Sequence, residues 1–517
     1  MLAHVHSCAL VGIEAAVIEV EVDVSAGMQV FHIVGLPDGA VRESRLRVPA
    51  ALANAGASFP MDRVTVNLAP ADLKKDGTAF DLAIAAGVLL ATGQITTTGQ
   101  LDLSRWLIVG ELGLDGSVRP IRGALSMAML ARDADFDGII LPAENAEEAA
   151  IVKGVDVLPV RDLMELVRMA RGEQAPTFTP PTRAVDPASE HARHDFADVS
   201  GQESVKRALE VAAAGHHNVL MLGPPGSGKS MLARRIPTIL PEMTFEESLE
   251  TTRVYSVTGL LESGLLPGRP FRAPHHTISD VGIVGGGSGM PRPGELSLAH
   301  HGVLFLDELP EFRKNVLEVL RQPLEDGAVT ISRSLTTLTY PARVMLVAAM
   351  NPCKCGYFGS DHVRRCHCPS DHVRAYRARI SGPVMDRIDL HIEVPAVPYK
   401  KLRERHRGTS SAQMRARVCA AREVQAQRFA GEPGIYTNAQ MTPALMHAHC
   451  QLDAAGDRLL ESIVDRFGMS ARAHDRILKV ARTIADLDRC ERIERVHLGE
   501  AIQYRALDRR PPSSRAA

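Results

Sequence analysis

The chain carries almost no net charge: 59 Lys and Arg stand against 61 Asp and Glu, a formal −2 over 517 residues. That balance excludes a uniformly basic nucleic-acid coat, so any contact with DNA must come from local loops. Long apolar runs are also missing. The longest candidate, Leu82 to Ala91, follows Asp81 and falls well short of the ~20 residues that a membrane-spanning helix needs. No Lys or Arg precedes the first apolar stretch, and Glu14 interrupts it, which argues against a secretory signal. The expected compartment is the cytoplasm. No strong internal repeat is visible. Apolar residues make up 45%, enough for a folded, soluble chain, and the length calls for two to four domains.

Residues 223–230 read Gly223-Pro224-Pro225-Gly226-Ser227-Gly228-Lys229-Ser230. The short apolar run Asn218 to Leu222 precedes them as a buried parallel strand would, and Met231 to Arg235 continues as a helix. The three glycines let the backbone curl so that successive N–H groups face phosphate oxygens. Lys229 then reaches the β- and γ-phosphates of ATP, and the Ser230 hydroxyl suits Mg²⁺. The helix N-terminus adds a favourable dipole for the anion. Downstream, the apolar strand Val303 to Leu306 ends in Asp307-Glu308. Asp307 fits the Mg²⁺ shell, directly or through water, and Glu308 fits a general base that polarises the attacking water. This pairing points to hydrolysis rather than binding alone.

Residues 172–197 are rich in Pro, Thr, Ala and His, lack apolar periodicity, and predict an extended linker. It separates an N-terminal unit, 1–171, from an ATPase core over 198–395. A helical lid is expected over 396–508, with a weakly basic disordered tail at 509–517. Four of the eight cysteines form two close pairs, Cys353/Cys355 and Cys366/Cys368. Two thiol pairs on one loop can supply tetrahedral sulfur ligation to Zn²⁺, with His362, His367 or His372 able to replace one ligand; free thiols are the alternative. Disulfides do not suit a reducing cytoplasm. Cys8, Cys419, Cys450 and Cys490 are scattered, as packing residues are.

Beyond these motifs the ATPase half resembles the AAA+ ATPases, in particular the branch of magnesium-chelatase-like proteins and replicative helicases. The separation of Lys229 from Asp307 exceeds what a minimal core needs. The excess holds Arg272-Ala273-Pro274-His275-His276 and the glycine-rich stretch Gly282 to Gly289, which looks like the loop that this branch inserts into its second helix. A second insertion, Val329 to Arg343, is β-branched at both ends and predicts a hairpin. In such rings both elements project into the central pore. By the same resemblance Asn351 is the polar sensor beside the γ-phosphate. Arg387 in Met385-Asp386-Arg387-Ile388-Asp389 is the arginine finger offered to the next subunit. Arg472 is the second sensor on the lid, with Arg476 and Arg482 as rivals, and any of these arginines can instead be a surface ion pair.

The N-terminal unit carries Lys74-Lys75-Asp76-Gly77-Thr78-Ala79-Phe80-Asp81 and Gly116 to Gly123, which resemble the signatures of Lon-type proteases. The nucleophile and base are missing. Ala79 and Leu125 stand where that family has Ser and Lys, and neither side chain can attack a carbonyl or take a proton. The expected fold is therefore α/β, an AAA+ P-loop core with a helical lid, preceded by an α+β Lon-like domain without peptidase chemistry. A Lon-like unit ahead of a chelatase-like motor resembles the YifB/ComM family nearly end to end. The resemblance implies a homo-hexameric, ATP-driven DNA helicase that promotes branch migration of incoming DNA in natural transformation, with single-stranded and branched DNA and recombination proteins as partners. A protein-remodelling or chelatase-type ATPase is the alternative. Pore chemistry favours DNA: the insertions offer Arg272, His275, His276 and Arg333 for phosphates and no aromatic tip for gripping polypeptide.

Overall fold

The computed structural model describes residues 1–96, 101–181, 194–262, 264–287, 290–333, 336–359, 365–397 and 408–505. The expected tail, the middle of the linker and His362 lie outside these residues.

In the N-terminal half, strands Glu14–Ser25 and Arg63–Ala69 bury every second residue, among them Val20 and Val22, and Val64, Val66 and Leu68. Period-two burial turns one face to a core, and the antiparallel register sets Val20 against Leu68 and Val22 against Val66. Seven strands form one mixed sheet in the order Val30–Val34, Arg63–Ala69, Glu14–Ser25, Leu2–Val11, Trp106–Ile108, Gly138–Pro142, Asp156–Val160. The apolar run at Leu82 becomes the core helix Asp81–Ala91, nearly all of whose residues are buried, as a helix without a polar face must be. Leu125 is packed with Leu107, Val109 and Ile139, so this position presents no base to any site.

The second half is built on five parallel strands, ordered Phe271–Arg272, Val303–Leu306, Met345–Met350, Val219–Leu222, Leu390–Glu393. Side chains alternate between two apolar clusters, Val219 and Met221 to one and Leu220 and Leu222 to the other. Both faces are covered, which is why these strands read as unbroken apolar runs. The hairpin is present as Ala328–Arg333 against Thr336–Pro341, with Arg333 at its far end. The glycine-rich stretch is not a loop throughout. Asp280–Val284 is a short helix capped by the Ser279 hydroxyl, which accepts from Gly282 N at 3.1 Å, and Gly285–Gly286 pairs with Arg292–Pro293. Ser279 and Asp280 supply the N-terminal signal that outweighs the glycine.

The C-terminal helices Ser411–Arg428, Ala471–Leu487 and Arg495–Gln503 share one apolar cluster with the ATPase sheet. The first lies along Glu203–Gly215, where Gln425 Nε2 donates to Ala214 O at 3.1 Å and Arg422 Nη2 to Ala213 O at 2.8 Å. At the other boundary, the first part of the linker lies on the N-terminal unit: Phe178 stacks on Trp106 with centroids 6.0 Å apart, and Thr179 N donates to Val157 O at 2.9 Å.

The two halves meet along the helix Phe245–Thr258. Ser256 Oγ donates to the buried carboxylate of Glu148, which also accepts from Leu125 N at 2.9 Å. Gly123 N donates to Ser256 O, and Arg253 Nη2 to Ile13 O. Burial raises the Glu148 pKa above the usual carboxylate value, so the folded state holds a proton there more readily than the unfolded chain does. Docking of the halves is therefore expected to be strongest below the unfolded carboxylate pKa and to weaken as pH rises through the folded one. Glu148→Gln should remove this pH dependence. Limited proteolysis of the interdomain segment across a pH series, parent against variant, measures it; identical profiles would contradict the assignment.

Candidate nucleotide site and its surroundings

The strand Val219–Leu222 delivers the chain into the glycine-rich loop, and left-handed φ values at Gly226 and Gly228 (76° and 90°) turn it into the helix Lys229–Ala233. At Gly223 a Cβ would sit 2.2 Å from Val394 O, so only glycine fits beside the neighbouring strand end. Lys229 is folded into this cradle: Nζ donates to Gly223 O at 2.8 Å, Pro224 O at 3.0 Å and Asn351 Oδ1 at 3.2 Å. Burial pulls its pKa down, and Asp307 and Glu308 act in the opposite direction.

Two remote motifs converge here as expected. Ser230 Oγ donates to Asp307 Oδ2 at 2.6 Å, so the two candidate Mg²⁺ ligands share one point at the C-terminal edge of the sheet. Glu308, the next residue, has φ 52°, a left-handed conformation uncommon for a non-glycine residue. That turn takes its carboxylate out of the strand line and leaves it 55% exposed. Asn351 leaves the end of Met345–Met350 and reaches Lys229. Hydroxyl, carboxylate, ammonium and amide are the groups that hold Mg²⁺ and phosphate oxygens.

The remaining predicted residues are distributed differently. Arg387 is 5% exposed and committed within its own chain: Nη2 lies 2.7 Å from Glu325 Oε1, Nε donates to Arg321 O at 2.8 Å and Nη1 to Pro383 O at 2.7 Å. Of the three lid candidates, Arg476 is paired with Asp389, and Arg482 is buried against Asp486, Cys490 O and Glu491 O. Arg472 is exposed and, among the described residues, makes no ion pair. Arg272 forms a two-bond pair with Glu295 at 2.6 and 2.8 Å. The His275 and His276 rings touch at a tilt of 34°, and His276 Nδ1 lies 3.6 Å from Glu308 Oε2. Arg333 stands apart from these, on the hairpin; a Cβ at Gly286 would lie 3.8 Å from its Nη2. Hairpin and glycine-rich segment thus form one surface, while Arg272 is taken up by Glu295 and His276 lies against Glu308.

The four predicted cysteines come together. Sγ atoms of Cys353, Cys355 and Cys366 are 3.3 to 3.7 Å apart, and Cys368 completes a group whose ligand atoms all lie within 4.8 Å. Thiolates around one tetrahedral Zn²⁺ at about 2.3 Å would be about 3.8 Å apart, so the donor set fits without His367 or His372. The Tyr357 amide and Cys353 hold the Cys355 thiol down to about 7.

Two features escaped the sequence. Tyr376 lies near the backbone N–H of the sensor Asn351, which opposes the upward pull of burial on its hydroxyl. Glu250 Oε2 lies 3.1 Å from His300 Nε2 and 2.9 Å from His301 Nε2, tying the docking helix to the start of the Asp307 strand. This trio is no metal site. His300 Nδ1 accepts from Arg343 N at 3.1 Å, which places the proton on Nε2 and leaves no lone pair for an ion. His300-His301 before an apolar strand was a visible signal; the partner Glu250 was not.

The description "Magnesium chelatase, subunit ChlI" matches residues 195–402, "Subunit ChlI of Mg-chelatase" matches 20–145, and the C-terminal model of the same subunit matches 408–505. The chain is 43% identical to competence protein ComM of Haemophilus influenzae over 516 residues, 98% of each chain. It is 42% identical to YifB of Escherichia coli over 510 residues, again 98% of each. The magnesium-chelatase 67 kDa subunit of Chlorobaculum parvum is 32% identical over 162 residues, 30% of this chain and 23% of that one. With both halves and the lid covered by such matches, the chain belongs to the YifB/ComM family of magnesium-chelatase-like AAA+ proteins.

Proposed function

We propose that the chain is an ATP-hydrolysing, hexameric DNA motor, a helicase that drives branch migration during uptake and recombination of incoming DNA in the cytoplasm. The observation that carries this reading is the link between the hydrolysis site and the insertions. Segment 271–276 leaves the ATPase sheet beside the glycine-rich element, and its His276 ends 3.6 Å from Glu308. A displacement of the insertions by a bound strand therefore has a short path to the catalytic carboxylate. The similarity to a competence protein over 98% of both chains supports the same reading.

In this mechanism Lys229 donates to phosphate oxygens that replace the Gly223 and Pro224 carbonyls. Ser230 and Asp307 would hold Mg²⁺, which neutralises the phosphate charge. Glu308 takes the proton of the attacking water, Asn351 orients water and γ-phosphate, and Arg387 and Arg472 supply positive charge from a neighbouring subunit and from the lid. Arg333 and the adjoining glycine-rich amides grip the DNA backbone. Because this grip is electrostatic, Arg333→Ala should weaken binding alike for all DNA sequences. It should flatten the salt dependence by about one released ion for every bound subunit that carries the substitution, and abolish unwinding, while ATP turnover without DNA survives. A salt series on a forked substrate, with ATPase rates with and without single-stranded DNA, checks this. Unwinding at the parent rate would remove the hairpin from the grip, and a parent ATPase indifferent to DNA would favour a protein substrate.

The cysteine group completes the proposal as a structural zinc site. Its role is to tie the segment that starts at Cys353, directly after the sensor, to the segment that ends at Cys368. Cys355→Ser should lower bound zinc below one per chain by elemental analysis and open the loop to protease; full zinc content in that variant would refute the ligand set.

A further inference from the structure

We infer that His300 is a positioning residue that couples the hairpin to the Asp307 strand, with Glu250 of the docking helix as its anchor. The inference rests on the DNA-motor reading and names the residues through which the grip acts on hydrolysis, by a route separate from His276.

His300 is fully buried, yet its two ring nitrogens have partners from two different segments. Nδ1 accepts from Arg343 N at 3.1 Å, and Nε2 donates to Glu250 Oε2 at 3.1 Å. Burial pushes its pKa down to about 4, so at neutral pH the ring carries one proton and serves one donor and one acceptor. His301 repeats the pattern: its N donates to Arg343 O at 2.8 Å, and its Nε2 lies 2.9 Å from the same Glu250 oxygen. The histidine pair thus holds Arg343 by both backbone groups. One carboxylate in turn holds both rings, whose centroids are 3.9 Å apart. His301 also has φ 55°, a left-handed conformation uncommon for a residue with a Cβ. Such a conformation persists where its surroundings over-determine it, and these bonds do so.

The place of this pair in the chain gives it a task. Arg343 lies between the hairpin strand Thr336–Pro341 and the strand Met345–Met350, which ends at Asn351. The hairpin is therefore covalently continuous with the sensor, while Asp307 and Glu308 end a different segment. His300 and His301 stand directly ahead of that segment's strand, Val303–Leu306. A pull on the hairpin that shifts Arg343 is thus passed to both strands, and Asn351 and Glu308 move together. Val303–Leu306 is buried and paired with the sensor strand over its whole length, so it shifts as a unit rather than bending. Glu250 fixes the far side of both rings. Its helix is fastened to the N-terminal unit through Ser256 and Arg253. With the rings held there, a shift of Arg343 is taken up by the 300–301 backbone and not by rotation of the side chains.

The test measures ATP turnover with and without saturating oligothymidylate in the full-length parent, Glu250→Ala and Glu250→Gln. Glu250→Ala should keep the parent's turnover without DNA and its affinity for the oligonucleotide, while stimulation by DNA falls about fivefold or more. Glu250→Gln should restore most of the stimulation, because the amide oxygen still accepts from both rings. His300→Asn keeps an acceptor beside Arg343 N but is too short to reach Glu250, so it should resemble Glu250→Ala. The double variant should lose no more than either single one, since both cut one link. Parent-like stimulation in Glu250→Ala would overturn the inference. So would equal losses of basal and stimulated turnover without rescue by Gln, the pattern of a residue that only supports the fold. Failure of DNA to stimulate the parent would instead sink the DNA-motor reading, and this inference with it.

Discussion

Glu308→Gln should bind ATP about as tightly as the parent chain and hydrolyse it about 10²–10⁴-fold more slowly. The substitution keeps the size of the side chain and its position one residue past Asp307, and removes only the capacity to accept a proton. Lys229, Ser230, Asp307 and Asn351 retain their mutual contacts, because Glu308 takes part in none of the bonds that join them. The left-handed backbone at Glu308 is equally open to Gln, so no new strain is introduced. Equilibrium binding of a fluorescent nucleotide together with phosphate release under saturating ATP separates the two effects. Lys229→Ala is the contrasting case, since it removes the donor that bridges the loop carbonyls to Asn351 and should weaken binding as well as turnover. A Glu308→Gln variant that hydrolyses at the parent rate would mean that another group takes the proton.

Parts of this site could be read from the sequence because they depend on neighbours in the chain. The loop 223–230 needs glycine at fixed offsets, and the carboxylate pair follows its own apolar strand, so local pattern determined both. The hairpin was legible for the same reason. What the sequence hid are pairings between distant segments. Nothing near Arg387 announces that Glu325 will neutralise it, and nothing near His276 announces that it will face Glu308 rather than the hairpin. Arg272 followed the same logic, its charge taken up by Glu295. The lid's helices share one apolar cluster with the sheet, and amphipathic faces show that something is covered, not by what. Which of Arg472, Arg476 and Arg482 is paired within the described residues likewise depends on where Asp389 and Asp486 stand.

Arg387→Ala should lose about 10³-fold in turnover with nucleotide binding preserved, and mixing it with Glu308→Gln should restore part of the activity. Each variant lacks a different half of the site. In a mixed ring some interfaces combine an intact Glu308 from one subunit with an intact Arg387 from the next, and those interfaces hydrolyse. The geometry within one chain makes this a demanding prediction, because Arg387 is buried and bound to Glu325, Arg321 O and Pro383 O. To reach a neighbour's phosphate the guanidinium must leave these partners. Glu325 is the weakest tether on physical grounds: its side chain is 47% exposed, so water can solvate the carboxylate once the arginine departs. Glu325→Gln should therefore release the finger more readily and leave turnover at least as fast as in the parent. A purely structural arginine gives the opposite pattern. Arg387→Ala would then lower the melting temperature, Glu325→Gln would impair turnover alongside it, and mixtures with Glu308→Gln would show only the summed residual rates of the two variants. Titrating one inactive variant into the other at fixed total protein, with thermal melts of each, decides between the two roles.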